Sequence, residues 1–134
     1  MIFLDSNIPM YAAGRYHSHK APSVRLLQRV EQGEIVACTS TEVLQEILYR
    51  YLALKKPSLA FGIYDLFVQV CPNVFSITLA DTDRAKAILQ AVKGISPRDA
   101  IHAAVMLNHD VNEIATFDAG FDRIPSIERL SPRL

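Results

Sequence analysis

The sequence predicts an α/β fold built on a mainly parallel sheet flanked by helices, and three observations predict it. Short apolar runs rich in Ile, Val and Phe alternate with longer stretches of helical period. Half of the 134 residues are hydrophobic, which suffices for a single domain, residues 1–134, with one sizeable core. No repeat, low-complexity segment or linker interrupts the pattern.

Taken in order, Ile2 to Leu4 reads as a first strand that ends on the turn-forming group Asp5-Ser6-Asn7. Residues 15–22, RYHSHKAP, break the pattern with polar and basic side chains and form the most mobile connection. A helix is expected over 21–32, then a strand from Ile35 to Cys38 and a helix over 41–54. Pro57 punctuates the chain before a helix over 58–71, followed by a strand from Val74 to Leu79 and a helix over 82–93. Gly94 and Pro97 set off a helix over 97–109. Glu113 to Phe117 is strand-like, and Ile127 to Leu130 adds a last short strand.

Fourteen basic and fourteen acidic side chains cancel, so no whole-molecule field would hold a polyanion, and any such partner must be bound by local charge or by metal. This excludes a histone-like binder but not a nuclease. Cys38 and Cys71 stand apart in apolar surroundings, without zinc-site spacing or the density of a secreted disulfide scaffold, which suits a reducing cytoplasm. No export signal precedes the domain. No long uncharged apolar run exists either, since Asp65 breaks AFGIYDLFVQV, so the chain reads as neither exported nor membrane-spanning.

In parallel sheets, ligands sit beyond the carboxyl ends of the strands. Asp5 is carried there by the first strand, and Asp118 follows the strand of EIATFDAGF directly. Two helix starts add acids: TSTEVLQEILYR places Glu42 and Glu46 four residues apart on one face, and SPRDAIHAAVM places Asp99 in a first turn. Each acid also has a structural reading. Thr39 to Glu42 and Ser96 to Asp99 both fit a capping box; the box is the preferred reading for Glu42, while Asp99 fits a cap or a site equally. Glu46 can pair with Arg50 one turn on, and Asp5 and Asp118 both suit turns.

Their joint placement favours a site. Four carboxylates within about 5 Å of one another repel by roughly 3 kcal/mol per pair at an effective dielectric near 20, so such a cluster needs a cation or protonation. Mg²⁺ and Mn²⁺ are the hard, oxygen-preferring ions it suits, and such an ion lowers the pKa of an attacking water and stabilises a leaving oxygen. Phosphodiester hydrolysis is the matching chemistry.

Asp5 with Ser6 and Asn7, Glu46 in VLQEIL, Asp99 in SPRDAIHAA and Asp118 in TFDAGF resemble, in length, order and spacing over essentially the whole chain, the ordered acidic motifs of the PIN domain family, and within it the VapC-type toxins. The resemblance implies a three-layer α/β sandwich and a tetrad of Asp5, Glu46, Asp99 and Asp118 holding one or two Mg²⁺ or Mn²⁺ ions, with Asn7 and Thr116 as hydrogen-bonding support. Gly120 stands where many members carry another acid, and Asp122 is not an obvious replacement. The resemblance further implies a metal-dependent endoribonuclease acting on RNA as the toxin of a toxin–antitoxin pair. Such a toxin is usually a homodimer inhibited by a small antitoxin whose tail enters the active-site groove.

The residues themselves speak to these partners only in part. Phe61, Tyr64 and Phe67 or Val68 recur at helical spacing, which describes core before it describes a groove. Arg15, His17, His19 and Lys20 can touch RNA phosphates or simply be solvated. His102, three residues after Asp99 on the same face, reads as a packed, hydrogen-bonded histidine and not a ligand, because oxygen-rich magnesium sites seldom recruit imidazole. A receiver domain would need a lysine after a late strand, and an aspartate-nucleophile phosphatase a second aspartate where Asn7 stands. The remaining alternatives to the toxin are a housekeeping RNA-processing PIN nuclease and a non-catalytic PIN-like module that binds RNA or protein.

Overall fold

The structure, a computed structural model, describes residues 1–131. Five short strands, β1 (Ile2–Leu4), β2 (Ala37–Ser40), β3 (Asn73–Phe75), β4 (Glu113–Ala115) and β5 (Glu128–Leu130), make one sheet in the order β3-β2-β1-β4-β5, with every pairing parallel. Six helices connect them: α1 (Asn7–Ala13), α2 (Lys20–Glu31), α3 (Thr41–Ala53), α4 (Pro57–Val70), α5 (Leu79–Ala91) and α6 (Pro97–Asn108). The chain steps outward from β1 to β3, then returns to β4 on the other side. Right-handed crossovers therefore put α1 to α4 on one face and α5 and α6 on the other, giving three layers. Phe3, Leu4, Val43, Ile47, Met106, Ile114 and Phe121 fill the interior without exposure. Among the described residues, no helix is long and apolar enough to cross a membrane.

Several boundaries differ from those read in the sequence, each for a local reason. The turn after β1 opens a helix: Asp5 C=O accepts the Ile8 N–H, and Pro9 sits in the first turn, where helical N–H groups have no carbonyl partner. The polar stretch 15–22 is correspondingly short, since α2 starts at Lys20, whose ammonium donates to the carbonyls of Ala12 and Gly14 at the end of α1. Two of the three donors of that ammonium are thus engaged at a helix end. β2 lies two residues later than expected, because Ala37 and Cys38 are the residues that register against Ile2 and Phe3. β3 ends at Phe75 and α5 begins at Leu79, where the Thr78 N–H donates to Asp81 Oδ2 (2.9 Å) and Asn108 holds the other oxygen (2.8 Å). β4 stops at Ala115, and β5 stands where the sequence placed a last strand. Gly94 turns the chain between α5 and α6 with φ +82°, a conformation open to glycine. Burial pushes the Cys38 thiol up to about 12 and the Cys71 thiol up to about 11, so both are inert core residues.

Candidate functional site

The register Leu4 to Ala115 puts the residues that follow β1 and β4 side by side at the carboxyl edge of the sheet. Asp5 donates its N–H to Ala115 C=O (3.2 Å), which aims its side chain at that edge. Its Oδ1 accepts the Ser6 N–H (2.7 Å), and its Oδ2 accepts the Thr116 hydroxyl (2.7 Å). Thr116 in turn accepts from Asn7 Nδ2 (2.9 Å) and from the Asp118 N–H (3.0 Å). One buried hydroxyl thus ties together β1, α1 and the segment after β4. Asp118 caps the 3₁₀ turn Ala119–Arg123 by accepting the Gly120 N–H (2.8 Å), so its turn-forming role and its place at the edge coexist.

Glu46 reaches the same point from α3. Ser6 Oγ donates to its Oε2 (2.8 Å), His102 Nε2 lies 2.5 Å from its Oε1, and Arg98 approaches at 3.8 Å. The expected pairing with Arg50 is not made, because Glu46 is buried and turned inward. His102, fully buried on α6, also stands 3.8 Å from Asp5 Oδ1 and packs against the rings of Phe3 and Phe121. It is packed and hydrogen-bonded, as its sequence position suggested, but its partner is a site acid. Asp5, Glu46 and His102 offer ligand atoms within 4.8 Å of one another. Asp99 lies one turn before His102, with its N–H on Ser96 Oγ (3.1 Å), and its carboxyl group hydrogen-bonds Asp118. Asp99 therefore makes the cap bond and also lies against Asp118 and Asp5 at the sheet edge.

Electrostatics binds these groups into one cluster. Burial, then the charges of Asp118 and Asp5, push the Asp99 carboxyl up to about 6. Burial raises Asp5 as well, against the His102 charge and the hydrogen bonds from Thr116 and Ser6, with Glu46 adding to the rise. For His102, burial disfavours the cation, but the hydrogen bond to Glu46 and the charges of Asp5, Glu46 and Asp99 outweigh it and raise the pKa. When protonated, this ring is a counter-charge to Asp5 and Glu46. The donor set is rich in carboxylate oxygen, and buried Asn7 Oδ1 has no partner among the described residues, so the site fits a hard divalent cation.

The other sequence candidates fall outside the cluster. Glu42 does not close a capping box: the cap of α3 is Ser40, while Thr39 lies inside β2 and donates to Leu4 C=O (3.0 Å). Asp122 is held by Arg129 in a two-pronged pair (2.9 and 3.0 Å), so it does not take the place left by Gly120. The aromatic stripe of α4 divides, with Phe67 in the core and Phe61 and Val68 exposed. Sequence reading missed Ser6 as a donor to Glu46 and Tyr11 as the centre of a ring cluster. The only signals were a hydroxyl beside Asp5 and the four-residue step from Asn7 to Tyr11.

An all-parallel sheet whose carboxyl edge gathers acids from two strand ends and two helices defines an α/β protein with an acidic cluster at that edge. The chain belongs to the PIN domain family, which it matches over residues 2–127. It is 41% identical to a VapC ribonuclease of Mycobacterium bovis and to a VapC ribonuclease of Mycobacterium tuberculosis, in each case over 98% of this chain and 100% of the relative. Among solved structures, a VapBC assembly of Rickettsia felis bound to promoter DNA superposes with TM-score 0.77 at 20% identity, covering 97% of this chain and 98% of that one. A sarcin–ricin loop cleaving VapC toxin of Mycobacterium tuberculosis does so with TM-score 0.75 at 20% identity, covering 91% and 93%.

Proposed function

We propose that the protein is a divalent-metal-dependent endoribonuclease, the toxin of a VapBC-type toxin–antitoxin pair, working in the cytoplasm as a single-domain chain that forms a homodimer. The observation that carries this reading is the convergence of Asp5, Glu46, Asp99 and Asp118 on one sheet edge. Whole-length relatives named ribonucleases support it. In this reading the four acids hold Mg²⁺ or Mn²⁺. The bound ion lowers the pKa of an attacking water and stabilises charge on the leaving oxygen of an RNA phosphodiester.

The chain's own residues do the positioning. Thr116 and the Ser6 N–H hold the two Asp5 oxygens, and Ser6 Oγ holds Glu46, so the ligand atoms are oriented before the ion arrives. Asn7 anchors Thr116 and keeps its amide oxygen free of protein partners among the described residues. Asp99, whose carboxyl is pushed up to about 6 by burial and by Asp118 and Asp5, would have its ionised form favoured by a cation held there. Arg98, near Glu46 and half in solvent, is placed to meet a phosphate.

A cleavage assay on defined RNAs with Mg²⁺, with Mn²⁺ and with a chelator tests the reading. Metal-dependent internal cleavage that is suppressed by a co-expressed antitoxin is the expected outcome. No metal-dependent cleavage of any RNA would replace it with a binding module.

A further inference from the structure

A cavity of about 790 Å³, walled by α1 and α3, opens beside the acids, and Ser6, Asn7 and Glu46 are among its lining residues. His102 stands behind them, on a helix of the opposite layer, with none of its surface in solvent. A group so placed cannot meet a substrate, so whatever it contributes passes through its neighbours.

The two ring nitrogens have different surroundings. Nε2 lies 2.5 Å from Glu46 Oε1 and 3.8 Å from Asp5 Oδ1. Nδ1 is buried and has no hydrogen-bond partner among the described residues. Phe3 and Phe121 pack against the ring, with centroids 5.6 and 6.5 Å away, and hold its plane. A nitrogen and an oxygen at the Nε2 to Oε1 separation have a proton between them. If Glu46 kept that proton, a neutral ring would carry its own on Nδ1, a buried donor with nothing to accept it. With the proton on Nε2, Nδ1 is a bare acceptor, and an unmet acceptor is tolerated more often than an unmet donor. Nε2 donates in the charged ring as well, so its contact with Glu46 holds in either charge state.

Packing alone does not account for a histidine here. A leucine would fill the space beside Phe3 and Phe121 and leave no buried nitrogen unmet. What the ring adds is at Nε2. Glu46 arrives from α3 on a long side chain with several rotatable bonds, and a cation can use its carboxylate only once those bonds are ordered. Ser6 Oγ holds Oε2 (2.8 Å) from the turn after β1, and His102 holds Oε1 from α6. Each oxygen is fixed by one donor and keeps lone-pair capacity for an ion.

We propose that His102 is a positioning residue whose Nε2–H, reaching across from the opposite helical layer, sets Glu46 in the orientation in which it binds a divalent cation. The inference rests on the metal-dependent reading of the acids and adds to that site a residue from outside the four.

Calorimetric titration with Mn²⁺ alone, without RNA, tests it on three variants of the whole chain. His102→Leu fills the space without a donor, and His102→Asn carries its amide near Nδ1, the wrong end of the ring. Both should weaken Mn²⁺ binding about 10- to 100-fold, the usual effect of losing a group that orients a metal ligand. His102→Gln brings an amide N–H near the place of Nε2 and should stay close to wild type. Melting curves verify folding. Should His102→Leu fail to fold, the two amide variants decide alone, because they differ in where the N–H lies and not in polarity. Nitrogen-15 NMR of the metal-free wild type should find the ring hydrogen on Nε2, and a bare Nε2 overturns the assignment. If wild type binds Mn²⁺ and cleaves RNA while a folded His102→Leu binds Mn²⁺ as tightly, or His102→Gln binds no better than His102→Asn, the positioning role is overturned and the ribonuclease reading stands. If wild type cleaves no RNA yet the variants rank as expected in Mn²⁺ affinity, the ribonuclease reading has failed and the positioning role stands. No Mn²⁺ binding by wild type overturns both.

Discussion

His102 Nε2 lies 2.5 Å from Glu46 Oε1 with the ring entirely out of solvent, so a histidine of α6 is the buried hydrogen-bond partner of an acid of α3. This pair separates the two glutamates of α3. Glu46→Gln should abolish Mn²⁺ binding and cleavage. It should also cost roughly 1–3 kcal/mol of stability, because a buried, hydrogen-bonded charge loses its partner. Glu42→Gln, at a half-buried position in the first turn and without a cap bond, should cost at most about 1 kcal/mol through the helix dipole and retain most activity. Calorimetric Mn²⁺ titration and melting of both variants check this. Loss of metal in Glu42→Gln but not in Glu46→Gln would show the wrong acid was chosen.

Asp5→Asn removes a metal-binding charge and keeps the shape of the side chain. The variant should fold, with cleavage lost. Removing one of several repelling carboxylates offsets the disturbance of the Thr116 bond, so the metal-free protein should hold its stability within about 1 kcal/mol. A melting curve beside an activity assay decides, and a folded variant with near-full cleavage would remove Asp5 from the site.

Thr116→Val replaces the hydroxyl that serves Asp5, Asn7 and the Asp118 N–H with a methyl group of similar size. It should cost about 1–3 kcal/mol from buried polar groups left unsatisfied, and weaken Mn²⁺ affinity about 10- to 100-fold because Asp5 is no longer oriented. Metal affinity at the wild-type value, measured by the same titration, would restrict Thr116 to a structural part.

The pH dependence follows from three raised pKa values. His102, Asp5 and Asp99 all hold protons more tightly in the folded chain than in the unfolded one. The Asp99 contribution to stability is complete below the ordinary carboxylate pKa and is lost as pH rises through about 6. His102 contributes fully below its ordinary pKa, and its contribution is lost as pH rises through its raised value. The cluster therefore makes the metal-free protein more stable at about pH 5 than at about pH 8, whereas Mn²⁺, which competes with these protons, binds more weakly as pH falls below about 6. Melting at both pH values with and without Mn²⁺ measures it. The idea fails if metal affinity is flat across that range.

Much of the site was legible because strand ends and helix starts are marked locally. Asp5 and Asp118 each follow an apolar run, and Asp99 follows Ser96-Pro97, a start signal that the structure uses. The misplaced edges were those decided by partners. β2 shifted because Ala37 and Cys38 register on Ile2 and Phe3, and α1 was hidden because an isolated seven-residue helix has no strong periodic signal.

By itself the sequence determined the α/β class, the strand-and-helix alternation and which acids follow strands or open helices, since period, punctuation and turn chemistry are properties of neighbours along the chain. Only the tertiary structure decided that β1 lies between β2 and β4, and this order is what sets Asp5 against Thr116 across 111 positions, Glu46 against His102 across 56 and the wall of α1 opposite that of α3. The physical reason is that sheet order comes from burying all the apolar faces at once, a condition on the whole chain that leaves no mark on any single segment of it.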